Sequence, residues 1–178
     1  MMRLICCVVL SLTLYTGAAA AGMNLPYITL TGGDSHIANR TCVRITTDAE
    51  WQKAWKAHLG TQPASEHPSP RTVVPDITFD RCMVLAVFWG ATQNMYGMKA
   101  LLVEEDDERI LLGFDPLTYQ TVDKADRMAP YAFFVLSRSD KPIVVQVNVQ
   151  DLASRAQHGP PVWKEYCRLP ALITEKKE

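Results

Sequence analysis

The residues best able to do chemistry stand together in GGDSH, Gly32 to His36. A serine between an acid and an imidazole, just after a short apolar run, has the composition of a nucleophile loop. A Ser-His-Asp relay also needs an acid and a base delivered to that serine. The late candidates, Asp151 and His158, stand seven positions apart, and nothing in the sequence joins them to Ser35 beyond their coexistence. A small secreted hydrolase using Ser35 with His36 or His158 is therefore weighed against a turn closed by the Asp34 or Ser35 side chain, and no catalytic residue is assigned. Metal chemistry has as little to build on. Histidines at 36, 58, 67 and 158 show no H-x-x-x-H spacing, and no C-x-x-C occurs. The acidic run Glu104 to Glu108 lacks the alternating ligands and central glycine of a calcium loop. Asn39-Arg40-Thr41 fits N-x-[ST], a three-residue motif that chance supplies often. No cofactor is implied.

The chain has 178 residues and a formal charge of -1, which argues for one domain and against nucleic acid, whose phosphates call for clustered Lys and Arg. Residues 1–21 carry Arg3, an uncharged apolar run and the small residues Ala18 to Ala21, the pattern of a cleaved secretory signal. The competing reading is an uncleaved anchor. Ser11, Thr13, Thr16 and the alanines make a poor membrane helix, so no stable span is expected after cleavage. Cleavage takes Arg3 from the 18 basic residues, leaving 17 against 19 acidic ones, a charge of about -2. Cys42, Cys82 and Cys167 then remain, and an oxidising compartment, secreted or periplasmic, would pair two of them, against the competing reading of three buried free thiols. All three pairings stay open.

The elements follow from periodicity. Residues 22–44 read as an extension with one short strand, Tyr27 to Thr31, stopped by Gly32 and Gly33. Thr47 and Glu50 form a capping box, and Trp51, Ala54, Trp55, His58 and Leu59 fall on one helical stripe, predicting an amphipathic helix over Asp48 to Leu59. His58 lies on that stripe, where packing beside Trp55 outweighs a role in proton transfer. Four prolines make 60–76 a loop. Cys82 to Trp89 is a continuous apolar run, the mark of a central strand covered on both faces. Tyr96 to Glu105 and Arg109 to Phe114 read as one hairpin around the acidic turn, and Tyr131 to Ser137 with Ile143 to Val149 as a second. The expected fold is α+β, an antiparallel sheet built largely of hairpins with one amphipathic helix packed against it. Residues 151–178 read as a C-terminal extension with a charged tail.

Glu50-Trp51 with Trp55, Asp76 before the Met83 to Phe88 strand, and Pro130-Tyr131 opening a later strand occur here in an order that resembles the PrcB-type domain, named for a subunit that stabilises a bacterial surface protease complex. The resemblance covers Ile45 to about Val149, giving a domain at 45–150. It implies a non-enzymatic, exported, protein-binding domain that stabilises or escorts an envelope peptidase complex. The family's Gly-Gly-Tyr after the apolar strand is replaced by Asn94-Met95-Tyr96, and of these Asn94 best tolerates a left-handed backbone. That stretch has no charge until Lys99. A hairpin mouth bearing Met and Tyr can offer adaptable apolar area to a partner's groove. Trp89, Gln93, Asn94, Met95, Tyr96 and Met98 are thus the expected partner-binding residues, against the competing reading that the methionines and Tyr96 cap the sheet. The same loop also bears a short likeness to the wedge of chagasin-type inhibitors, implying a peptidase inhibitor as the alternative function.

Overall fold

A computed structural model describes residues 23–25, 27–60, 73–122, 124–150 and 159–173. The strands are β1 (Met23–Asn24), β2 (Tyr27–Gly32), β3 (Thr41–Ile45), β4 (Cys82–Phe88), β5 (Thr92–Gln93), β6 (Met95–Glu105), β7 (Ile110–Thr118), β8 (Arg127–Met128), β9 (Tyr131–Ser137), β10 (Ile143–Asn148) and β11 (Trp163–Leu169), with one helix, α1 (Asp48–Leu59). They form a five-stranded sheet in the order β1-β6-β7-β10-β11, a four-stranded sheet in the order β2-β9-β4-β3, and a two-stranded ribbon of β5 and β8. Pairing is antiparallel apart from β7 with β10. The fold is sheet-rich α+β. No helix among the described residues is long and apolar enough to cross a membrane.

Three layers result. Met83, Leu85 and Val87 of β4 point into a core shared with Met98, Leu112 and Phe114 of the larger sheet. Val84, Ala86 and Phe88, on the other face, meet Trp51 and Trp55 of α1 together with Ile45 and Phe133. The unbroken apolar run of β4 is thus explained, since both of its faces are dry. The helix starts where its capping box places it: Thr47 Oγ1 accepts from Glu50 N at 3.3 Å, and Glu50 Oε2 accepts from Thr47 N at 3.2 Å and Thr46 N at 2.9 Å. The Thr46 backbone N–H is the main reason the Glu50 carboxyl titrates below its usual range. Trp51 fills the gap beneath the helix and donates its indole N–H to Pro75 O at 2.8 Å. That bond also tethers the chain that enters β4. On the outer face of the larger sheet, Trp163 lies across Gly113, where a Cβ would come within 2.7 Å of the indole ring.

The second expected hairpin is corrected. β9 pairs with β2 and β4 in the smaller sheet, whereas β10 pairs with β7 and β11 in the larger one. Residues 138–142 therefore cross between the sheets. Arg138 fastens this corner to the helix side by donating from Nη1 to Phe79 O at 2.7 Å and Thr46 O at 3.1 Å. Lys141 fastens it to the other sheet through Glu105 at 2.9 Å and Asp106 O at 2.7 Å. β6 and β7 do pair antiparallel around the acidic turn, whose Asp106 accepts from Glu108 N and Arg109 N at 2.8 Å. Segments 22–44 and 151–178, read as extensions, supply β1, β2, β3 and β11, so the sheets extend beyond 45–150 at both ends. One disulfide joins Cys42 of β3 to Cys167 of β11, clasping the sheets along one side and leaving Cys82 free. The opposite side is held by Met98 N donating to Thr31 Oγ1 at 2.9 Å.

Candidate partner-binding end of the sandwich

Two stretches singled out separately in the sequence meet at one end of the sandwich. The GGDSH turn packs on the start of β6: a Cβ on Gly33 would lie 3.1 Å from Tyr96 Cα and 3.3 Å from Met95 O. Residues 33–35 run beside Ala129, with Ala129 N donating to Gly33 O at 2.8 Å and Ser35 N to Ala129 O at 3.1 Å. Trp89 N donates to Pro130 O at 2.9 Å, bringing the 89–96 loop to the same place.

The loop is shaped by two left-handed residues. Gly90 has φ 89, and a side chain there would press on Ala38 O and Arg40 N at 3.0 Å. Asn94 has φ 52, the sole non-glycine with positive φ among the described residues. Asparagine tolerates this region because its short amide can bond locally, and here it does more. Its Oδ1 accepts from Asp126 N at 2.8 Å and its Nδ2 donates to Thr121 Oγ1 at 3.3 Å. Its own N donates to Asp126 O at 3.0 Å and its O accepts from Tyr119 N at 3.0 Å. One residue thus fastens the 119–126 loop to the strand, and β5 pairs with β8 beside it.

Strand β6 begins at Met95, directly after that turn, and this overturns part of the sequence reading. Met95 is 2 % exposed and Met98 0 %. Both side chains belong to the core between the sheets and are corrected from partner contacts to packing residues. Regular alternation would put Tyr96 on the same face as Met98, but the register of β6 against β7 shifts between Met95 and Gly97, and at this bulge Tyr96 is left without a paired residue and stands 48 % exposed. Its ring lies 6.0 Å from that of Tyr119, whose hydroxyl donates to Asp126 Oδ2 at 2.7 Å. That bond raises the Tyr119 phenol above its usual range. Gln93 is exposed and Asn94 half-buried. Trp89 is half-buried too, stacked on Tyr166 with centroids 5.5 Å apart and the planes at 28°. Tyr166 and Arg40, from distant parts of the chain, complete this end. Neither was legible as a site residue in the sequence, because the pairing that unites them spans 126 positions.

No family model, curated protein or solved structure matches the chain.

Of the hydrolase candidates, Ser35 and His36 are among the described residues. Ser35 is buried, and its Oγ accepts from Ile37 N at 3.1 Å, closing the expected local turn. His36 is exposed, its ring resting over Gly60, and its backbone N–H donates to His58 O at 2.9 Å. His158 lies outside the described residues, as does His67. Among the described residues no three His, Cys, Asp or Glu converge as metal ligands.

His58 packs as its helical position foretold, 5.4 Å from the Trp55 ring and 4.0 Å from that of Tyr131. It is 3 % exposed, and its Nδ1 has no hydrogen-bond partner among the described residues. Burial lowers its imidazole to about 4, with Asp34 opposing that shift and His36 adding to it. An unfolded histidine titrates near 6.5. Between these values the unfolded chain takes up a proton that the folded one refuses, so this contribution is intact above pH 6.5 and is lost as pH falls toward 4. The loss is at most about 3 kcal/mol. Urea unfolding at a series of pH values between 7 and 4 should therefore show a shallower decline for His58→Phe than for the native chain. Parallel declines would contradict the burial argument.

Proposed function

We propose that this chain is a non-enzymatic, exported protein-binding domain whose contact surface is the end of the sandwich around Tyr96, together with Trp89 and Gln93 of the loop that precedes it. The observation that carries the reading is an exposed aromatic on a fixed frame. Asn94 ties its backbone to the 119–126 loop through four hydrogen bonds, so little freedom remains to be lost when a partner docks. Tyrosine with tryptophan is the composition of interface anchors. The Cys42–Cys167 bridge suits the oxidising conditions outside the cytosol. The PrcB-type resemblance supplies the class of partner, an envelope peptidase complex that the domain stabilises or escorts.

The test is a crosslinked pull-down from native envelope extract with the native chain and Tyr96→Ala as baits, read by mass spectrometry. A peptidase enriched by the first and lost with the second, at an unchanged melting temperature, is the expected result. Equal recovery with both baits would refute the surface. The exposed Tyr96 also suits the inhibitor alternative, which predicts a different outcome: the purified protein slows a cysteine or serine protease without entering a lasting complex.

A further inference from the structure

Arg40 closes the loop between β2 and β3, and its side chain is exposed. The guanidinium carbon lies 3.7 Å from the centroid of the Tyr166 ring and 5.9 Å from that of Trp89. Its Nη2 donates to Tyr166 O at 3.2 Å. This aromatic shelf is fixed on several sides. The Tyr166 ring is stacked on Trp89 and stands edge-on to Phe114 at 5.3 Å, while its hydroxyl donates to Phe88 O at 2.8 Å. Burial pushes that phenol up to about 12, which keeps it a neutral donor. The next residue, Cys167, is bonded to Cys42, two positions from Arg40.

A long cationic side chain on a protein surface ordinarily samples many rotamers, and ordering it on binding is costly. Arg40 has met that cost already through stacking and one backbone bond. Yet no carboxylate pairs with it among the described residues, where Arg109, Lys141 and Arg168 each have one. A guanidinium is a rigid fork of donors that matches a carboxylate with two parallel bonds. Held in place beside a half-buried tryptophan, it has the makings of a binding anchor.

We propose that Arg40 receives a carboxylate side chain from an acidic, partly apolar segment of the protein partner, with Trp89 taking the adjoining apolar group. This rests on the protein-binding reading above and specifies the chemistry of its partner. A carboxylate is favoured over a nucleic-acid backbone because the chain as a whole carries a net charge of -1, whereas affinity for polyphosphate grows with clustered positive charge.

The probes are the acetyl- and amide-capped tripeptide Phe-Glu-Phe and its Phe-Gln-Phe isostere, titrated into the disulfide-bonded protein while the Arg40 Nε–H and Trp89 Nε1–H resonances are followed by NMR. Variants Arg40→Lys and Trp89→Phe assign the two signals. The expected result is saturable movement of both signals, with the Glu peptide binding at least about fivefold tighter than the Gln peptide. Arg40→Lys should erase most of that ratio while leaving the near-UV circular dichroism unchanged, since it keeps the charge and loses the planar fork. Equal affinity for the two peptides would overturn the proposal, as would a silent Arg40 signal. A larger response to inorganic phosphate than to acetate would overturn it as well, by making the group a general oxyanion site. In the pull-down, a partner lost with Tyr96→Ala but kept with Arg40→Lys would overturn the carboxylate assignment and leave the protein-binding reading standing.

Discussion

Replacing Cys42 and Cys167 together by alanine is expected to lower the unfolding free energy by about 5 kcal/mol, the loop-closure contribution of a bridge spanning 125 residues. Few bonds in a chain of this size can constrain the unfolded state as strongly, because closure entropy rises with the length enclosed. The bridge also has a local consequence. It joins β3 at the edge of one sheet to β11 at the edge of the other, and Tyr166, beside it, carries both Trp89 and Arg40. Loss of the bridge should therefore loosen the binding end as well as destabilise the whole. Urea unfolding of the double variant against the native protein measures the first effect, with Cys82→Ala as a control that leaves the bridge intact. An unchanged midpoint in the double variant would mean that the clasp contributes nothing to stability. Added reductant should reproduce the double variant's shift in the native protein and leave the variant itself unaffected.

The second large effect is expected from Met98→Ala. Met98 is wholly enclosed between the sheets, and truncating a buried methionine removes transfer energy and leaves a cavity, together about 2 to 5 kcal/mol. Tyr96→Ala, at the exposed bulge two residues earlier, should stay within about 0.5 kcal/mol of the native protein. Denaturant unfolding of the two single variants separates them cleanly. Similar losses from both would show that Tyr96 is a packing residue, and the proposed contact surface would lose its anchor. A Met98→Ala protein as stable as the native one would instead contradict the position of that side chain in the core.

How far the sequence revealed this fold depended on how local each signal was. The helix was legible because Thr47 and Glu50 cap it within four residues and Trp51, Trp55 and His58 mark one face. The β4 strand was legible because burial on both faces leaves an unbroken apolar run. Strands β3 and β11 were not. TCVRI and WKEYCRL mix charged and apolar residues as edge strands do, and their place depends on partners far along the chain. The passage from β9 to β10 was misread for a related reason. A short polar turn between two apolar strands is the local mark of a hairpin, but the parallel pairing of β10 with β7 requires the chain to change sheets.

The candidate site divided along the same line. The strand expected from Tyr96 begins one residue earlier, at Met95, directly after the left-handed Asn94. Met95 and Met98 then follow the strand into the core, while Tyr96 faces out. An isolated Met-Tyr-Gly-Met gives no face assignment until its register is known. Arg40, Tyr119, Asp126 and Tyr166 were out of reach altogether, since each acquires its place through contacts made across the fold. The GGDSH motif shows the converse. Its residue types suggested catalysis, but Ser35 Oγ serves a turn, and the backbone around it positions the loop next to it.

The most direct test of the protein-binding account is site-specific photocrosslinking in the native host, with a benzophenone amino acid at position 96 and, as a control, at position 28. Ile28 is 65 % exposed on β2, so both probes reach solvent and differ in the surface they report. The account predicts one discrete adduct from position 96, containing a peptidase or a component of its complex, and none from position 28. The same adducts from both positions, or none from position 96 when the protein is correctly exported and folded, would contradict it.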